Sequence, residues 1–93
     1  MPVDQSEIQE LCTDAVFERG QNYYTDGRIH ERRRVGDHIT ATIEGSKLYD
    51  VTLSLSEPNY NPSCTCPYQG PGECKHVVTL LLSLSDNLPE DEG

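Results

Sequence analysis

The sequence predicts a small α+β domain, and three observations carry that prediction. Apolar residues recur at helical spacing as far as Tyr23, alternate with polar ones between Arg28 and Leu55, and run almost unbroken through residues 76–85. A length of 93 residues allows one domain. A domain of this size buries only roughly 60–65% of the surface its unfolded chain exposes. With 34% hydrophobic residues, one Phe and no Trp, the core is poor, so a metal or disulfide staple is expected to complete it. A large enzyme with a deep pocket is excluded, and no small-molecule substrate is expected.

The N-terminal segment is helical. Ser6-Glu7-Ile8-Gln9 has the form of a capping box with Ser6 as N-cap, and Ile8, Leu11, Cys12, Ala15, Val16, Gly20 and Tyr23 follow at helical spacing. The pattern predicts helix over residues 14–25. Thr13-Asp14 is able to cap a helix of its own, which leaves open whether residues 7–12 form a separate one. Asp26-Gly27 supplies the stop, with Gly27 free to take positive φ.

From Arg28 the period is two, which predicts strands over 28–35, 38–44 and 47–55. Ile39, Ala41 and Ile43 share one face, as do Tyr49, Val51, Leu53 and Leu55. Directly paired residues share a face, so a two-residue loop at Gly36-Asp37 would pair Val35 with His38 and mix the faces. Three-residue loops at both turns avoid that, giving a three-stranded antiparallel meander with one apolar side. In this register Arg28, His30, Arg32 and Arg34 form a basic stripe on the solvent face. Residues 56–73, with four prolines and two glycines, read as loop, and 76–85 as a short helix. Residues 1–85 thus form one domain, followed by an acidic, disordered tail over 86–93.

Sixteen acidic residues against seven basic ones leave a net charge of −9, and only two lysines, Lys47 and Lys75, are present. A lysine-poor acidic surface fits a salt-adapted host, though it equally fits an ordinary acidic domain. No apolar run approaches the length of a membrane span, and the N-terminus lacks the pattern of a signal peptide. A cytoplasmic protein is expected, and in a reducing compartment cysteines serve as ligands or buried thiols rather than disulfides.

Cys64-Thr65-Cys66 and Cys74-Lys75-His76 place three thiols and an imidazole within thirteen residues, a full tetrahedral set for one zinc ion. In each pair an extended backbone puts both ligands on the same side, and the intervening Pro/Gly-rich loop turns the second pair onto the first. A Cys64–Cys66 disulfide would be strained at such spacing. Four protein ligands leave no place for water, so the zinc is expected to be structural and the protein not an enzyme. Cys12, on the apolar helix face, reads as a core thiol. The five tyrosines read as rings in the core with hydroxyls outside.

The motif over residues 64–76 resembles the SWIM zinc finger, whose pattern is C-x-C followed by C-x-H. The resemblance extends upstream through Gly20-Gln21-Asn22-Tyr23-Tyr24-Thr25-Asp26-Gly27 and the segment from Ala41 to Val51, covering about residues 15–85. It implies a zinc-stabilised module of strands and helix. In that family the module is fused to helicases, transposases, ubiquitin ligases or recombination factors and is credited with binding DNA or protein. The helicase-fused bacterial and archaeal forms look closest, and with the acidic surface they point to a salt-adapted archaeal source. This chain lacks a catalytic partner domain, so a free-standing module is expected.

Two functions follow as expectations. The first is protein interaction, as adaptor of a nucleic-acid-processing complex, through Val78 and Leu82 where the last helix leaves them partly exposed; full burial under the N-terminal helix is the alternative. The second is direct DNA or RNA binding by the stripe of Arg28, His30, Arg32 and Arg34. A net charge of −9 opposes the second and makes such binding weak and salt-sensitive.

Overall fold

A computed structural model describes residues 3–93. Two helices, α1 (Gln5–Leu11) and α2 (Asp14–Thr25), precede the strands β1 (Ile29–Val35), β2 (His38–Glu44) and β3 (Leu48–Ser54). A 3₁₀ turn (Pro58–Tyr60), a short β4 (Ser63–Cys64) and the helix α3 (Lys75–Asp86) complete the chain. The fold is small α+β, with an antiparallel sheet ordered β1-β2-β3-β4. The fourth strand is an addition to the predicted meander. It consists of two residues from the segment read as loop, paired as Ser63 with Thr52 and Cys64 with Val51.

The first two helices are separate because their caps are separate. Thr13 accepts the Val16 N–H through its side chain and starts α2, while extended backbone at Cys12 ends α1. Asp4, rather than Ser6, caps α1: its carboxylate accepts the Ser6 N–H, and Ser6 lies inside the helix. Gly27 takes φ +70° just past α2, as expected of the stop.

The first hairpin departs from the predicted register. Val35 does pair with His38 across a two-residue loop, with Gly36 at φ +61°. A bulge between Ile29 and Glu31 resolves the conflict of faces. Before the bulge Ile29 opposes Ile43; after it Arg32 opposes Ala41 and Arg34 opposes Ile39. Glu31, Arg33 and Val35 therefore take the outer face, and Arg32 and Arg34 turn toward the helices. The basic stripe does not exist as a solvent face. The second turn keeps the predicted three-residue loop, with Glu44 paired to Leu48.

One layer of helices covers one face of the sheet. Ile39, Ala41, Ile43, Val51 and Leu53 point into the core, where Val77, Val78, Leu80, Leu81, Leu82 and Leu84 meet them and Ile8, Val16 and Phe17. Every residue from His76 to Leu84 is buried. Val78 is 0% and Leu82 3% exposed, so the expected partner patch on α3 is absent. The reason is packing on more than one side. α1 and α2 both pack on α3, and Gly20 brings α2 so close that a Cβ there would lie 2.4 Å from Val78 Cγ1. No described helix is long and apolar enough to cross a membrane.

Residues 87–93 are not a free tail. They return along β1, with Asp91 bridging Arg34 in parallel and the Glu92 N–H donating to the Arg34 carbonyl at 2.8 Å. Arg33 holds the Glu92 carboxylate at 2.7 Å. The acidic composition that suggested disorder is matched here by the arginines of β1.

Candidate metal centre

Three of the four metal-ligand candidates come from segments whose local structure aims them. Cys64 lies on β4 opposite the buried Val51, which puts its side chain on the helix side of the sheet. Thr65 fixes the next step: its N–H donates to Asp50 O, and its hydroxyl accepts the Asp50 N–H, both at 3.1 Å. Cys74 is the N-cap of α3, and His76 stands in the first turn. The connecting loop is tied to the α1–α2 junction by the Glu73 N–H, which donates to Leu11 O at 2.9 Å, and by a bridge between Cys12 and Gly72. Gly72 has φ +72°, and a Cβ there would lie 2.8 Å from Leu11 O. Only glycine suits that close approach.

The three sulfurs and a ring nitrogen all lie within 4.8 Å of one another, near enough to hold a metal ion. His76 turns Nδ1 toward the sulfurs, at 3.7 Å from Cys64 Sγ and 3.9 Å from Cys74 Sγ. Its ring lies between Tyr49, at 4.5 Å between centroids, and Tyr23, at 5.8 Å. Nε2 is buried with no hydrogen-bond partner, and a Cβ on Gly45 would lie 2.9 Å from it. The orientation of this imidazole is thus set by two tyrosine rings and a bare glycine rather than by a carboxylate. Neither Gly45 nor the tyrosine pair stands out as site residues in the sequence, because only the folded sheet brings them to His76.

The thiols divide the local charge unequally. The Cys74 thiol is drawn down by the Cys64 thiol, by His76 and by the Val77 N–H at the start of α3. The Cys64 thiol is pushed up by donating to Cys74 and by burial. A second thiolate in the same space needs a cation beside it.

Cys12 stands outside this group. Its thiol donates to Ile8 O at 3.4 Å and is pushed up by burial and by Asp14 and Glu73, as suits a core thiol. A cleft of about 220 Å³ opens beside the centre, between Tyr49, Tyr68, Arg19 and Lys75.

The residues of the expected nucleic-acid stripe are dispersed. Arg28 lies over the Tyr23 ring at 4.6 Å and 3.6 Å from Asp26, and His30 bonds Glu44 at 2.7 Å. Arg32 donates to the Ser83 carbonyl and hydroxyl and to Asn87, closing the end of α3. Arg34 donates to Gly36 O at 2.7 Å. The chain matches no protein-family model, no curated protein and no solved structure.

Proposed function

We propose that the chain is a SWIM-type zinc module that works by binding another protein. One structural zinc is held by Cys64, Cys66, Cys74 and His76. The observation that carries this reading is the convergence of three sulfurs and Nδ1 within 4.8 Å. Ideal tetrahedral zinc sets its sulfurs about 3.8 Å apart and sulfur from nitrogen about 3.6 Å. The two sulfur–nitrogen separations quoted above need only a small contraction. Thiolates with one imidazole suit zinc over oxygen-loving cations. Four protein ligands complete the shell, which supports a structural ion and a protein without catalytic chemistry.

Protein is favoured over nucleic acid because the arginines that would meet phosphate are already bonded within the molecule. Against a net charge of −9, that leaves little to attract a polyanion. Metal analysis of protein purified without chelator is expected to give a single zinc per chain, lost in Cys74→Ser. A metal-free protein with native amide dispersion would overturn the zinc reading. Duplex DNA binding that survives about 1 M salt would overturn the choice of partner.

A further inference from the structure

The sheet begins at β1, so among the described strands none pairs with its outer edge. Three consecutive arginines, Arg32 to Arg34, lie along this edge of an otherwise acidic protein. The segment after α3 returns to one end of this edge, where Asp91 forms an isolated parallel bridge with Arg34. The Glu92 N–H donates to Arg34 O at 2.8 Å, and the Gly36 N–H donates to Asp91 Oδ1 at 2.8 Å. Arg33 grips Glu92 with two bonds, Nη2 to Oε1 at 2.7 Å and Nε to Oε2 at 3.4 Å. Gly93 lies flat on Val35, where a Cβ would come within 2.8 Å of Cγ1.

We propose that the free edge of β1 is a strand-addition site for an extended acidic peptide of a partner protein, which residues 90–93 occupy in cis. The proposal rests on the protein-interaction reading above and names the surface and the partner chemistry. Two features select a peptide. The Arg34 carbonyl takes a main-chain N–H, which a phosphate backbone does not offer, and the contact is a parallel β-bridge. Two further features select acid: the bidentate grip of Arg33, and the Gly36 N–H that a carboxylate caps. The pattern recognised is thus an Asp-Glu pair in extended conformation, followed by a small residue where Val35 leaves no room.

The segment is tethered to α3 through Asn87, which Arg32 holds, so it competes at an effective concentration in the millimolar range. A peptide in trans is excluded until the tail is displaced. The test uses the full zinc-loaded chain, ¹⁵N-labelled, at about 50 mM salt. The probe is a capped synthetic peptide copying residues 87–93. Glu92→Arg should free the edge, and the peptide should then shift the Arg34 and Gly36 amides at least about tenfold more tightly than in the wild type. Glu92→Gln, which removes the charge without reversing it, should lie between the two. The swap Arg33→Glu/Glu92→Arg restores the pair in cis and should abolish that gain.

The proposal is overturned by a folded Glu92→Arg chain whose β1 amides ignore the peptide. Equal binding by a peptide with lysine in place of Asp91 and Glu92 overturns it too, as does an oligonucleotide that shifts the same amides as tightly. Failure at this step with zinc intact sinks the edge site alone. Absence of zinc from the wild type sinks the module reading whatever the peptide does.

Discussion

At the scale of single residues, two glycines do what no other residue would. Gly20 sits where α2 crosses α3, its carbonyl accepting the Thr79 hydroxyl at 3.3 Å. A Cβ at this position would lie 2.4 Å from Val78 Cγ1 and 2.9 Å from Val78 Cβ. Helix propensity alone favours alanine over glycine by about 1 kcal/mol. Overpacking typically costs about 1–3 kcal/mol and outweighs that gain here, because the obstacle is a stiff β-branched side chain in a filled core. Gly20→Ala is therefore expected to lower the urea midpoint with the slope unchanged; a raised midpoint would show that the helices separate freely. Gly45 acts through His76. Gly45→Ala is expected to leave the strands intact but to speed zinc loss to a chelating dye several-fold, because Cβ would press on Nε2 at 2.9 Å. Unchanged release kinetics would show that the imidazole is held by its tyrosines alone. Gly20 falls on the apolar side of a helical pattern and is partly legible there. The role of Gly45 is not, because a turn residue and a helix residue thirty-one positions later meet only in the folded state.

At the scale of elements, β1 and the segment that lines it are the parts most dependent on conditions. The Gly36 and Gly93 N–H groups, with Arg34, hold the Asp91 carboxyl below its ordinary range, and Arg33 does the same for Glu92. Depressed carboxylates contribute stability above their unfolded pKa values, near 4, and lose it as pH falls through the lower folded values. Docking of residues 90–93 is thus complete at neutral pH and released only in acid, below about pH 4. Both carboxylates are exposed and salt-screened, so salt should also loosen the contact. Amide exchange is the measurement. Protection at Gly36 and Glu92 should fall with acid and with salt while Val51 and Leu80 stay protected, and a coincident loss in all four would refute an independent tail. The strand boundaries were readable from alternation. The bulge at Ile29/Glu31 was not: it leaves the composition of the strand untouched and reverses the side of every residue after it.

For the molecule as a whole, the ligand set joins parts that have little else between them. β4 contributes only two residues to the sheet, and the loop before α3 is tied down chiefly by Leu11, Cys12 and the ligands themselves. Closing a metal onto Cys64, Cys66, Cys74 and His76 therefore couples the sheet edge to the central helix, and metal binding becomes folding free energy. Chelation is expected to collapse amide dispersion in β4 and residues 64–74 first and to lower the melting midpoint of the remainder. Cys12→Ala should keep both zinc content and dispersion, since its thiol stands apart from the group. A chelated protein that melts unchanged would remove the metal from the stability of the fold.

The sequence by itself determined the class of fold, the order of α2, the first three strands and the last helix, and the four ligand candidates. Each depends on local periodicity or on residue types at short spacing. The central place of α3 was half visible: an apolar run of that density must be buried, but nothing local says on how many sides. Val78 and Leu82 looked spare for a helix lying on one sheet, and became core once α1 and α2 closed over them. Tertiary structure alone decided the fate of the arginines. One bulged residue turned Arg32 and Arg34 from solvent to the helix side, and the freed edge drew the acidic segment onto Arg33. Register and edge pairing are contacts between residues distant in the chain, and only the folded backbone sets them.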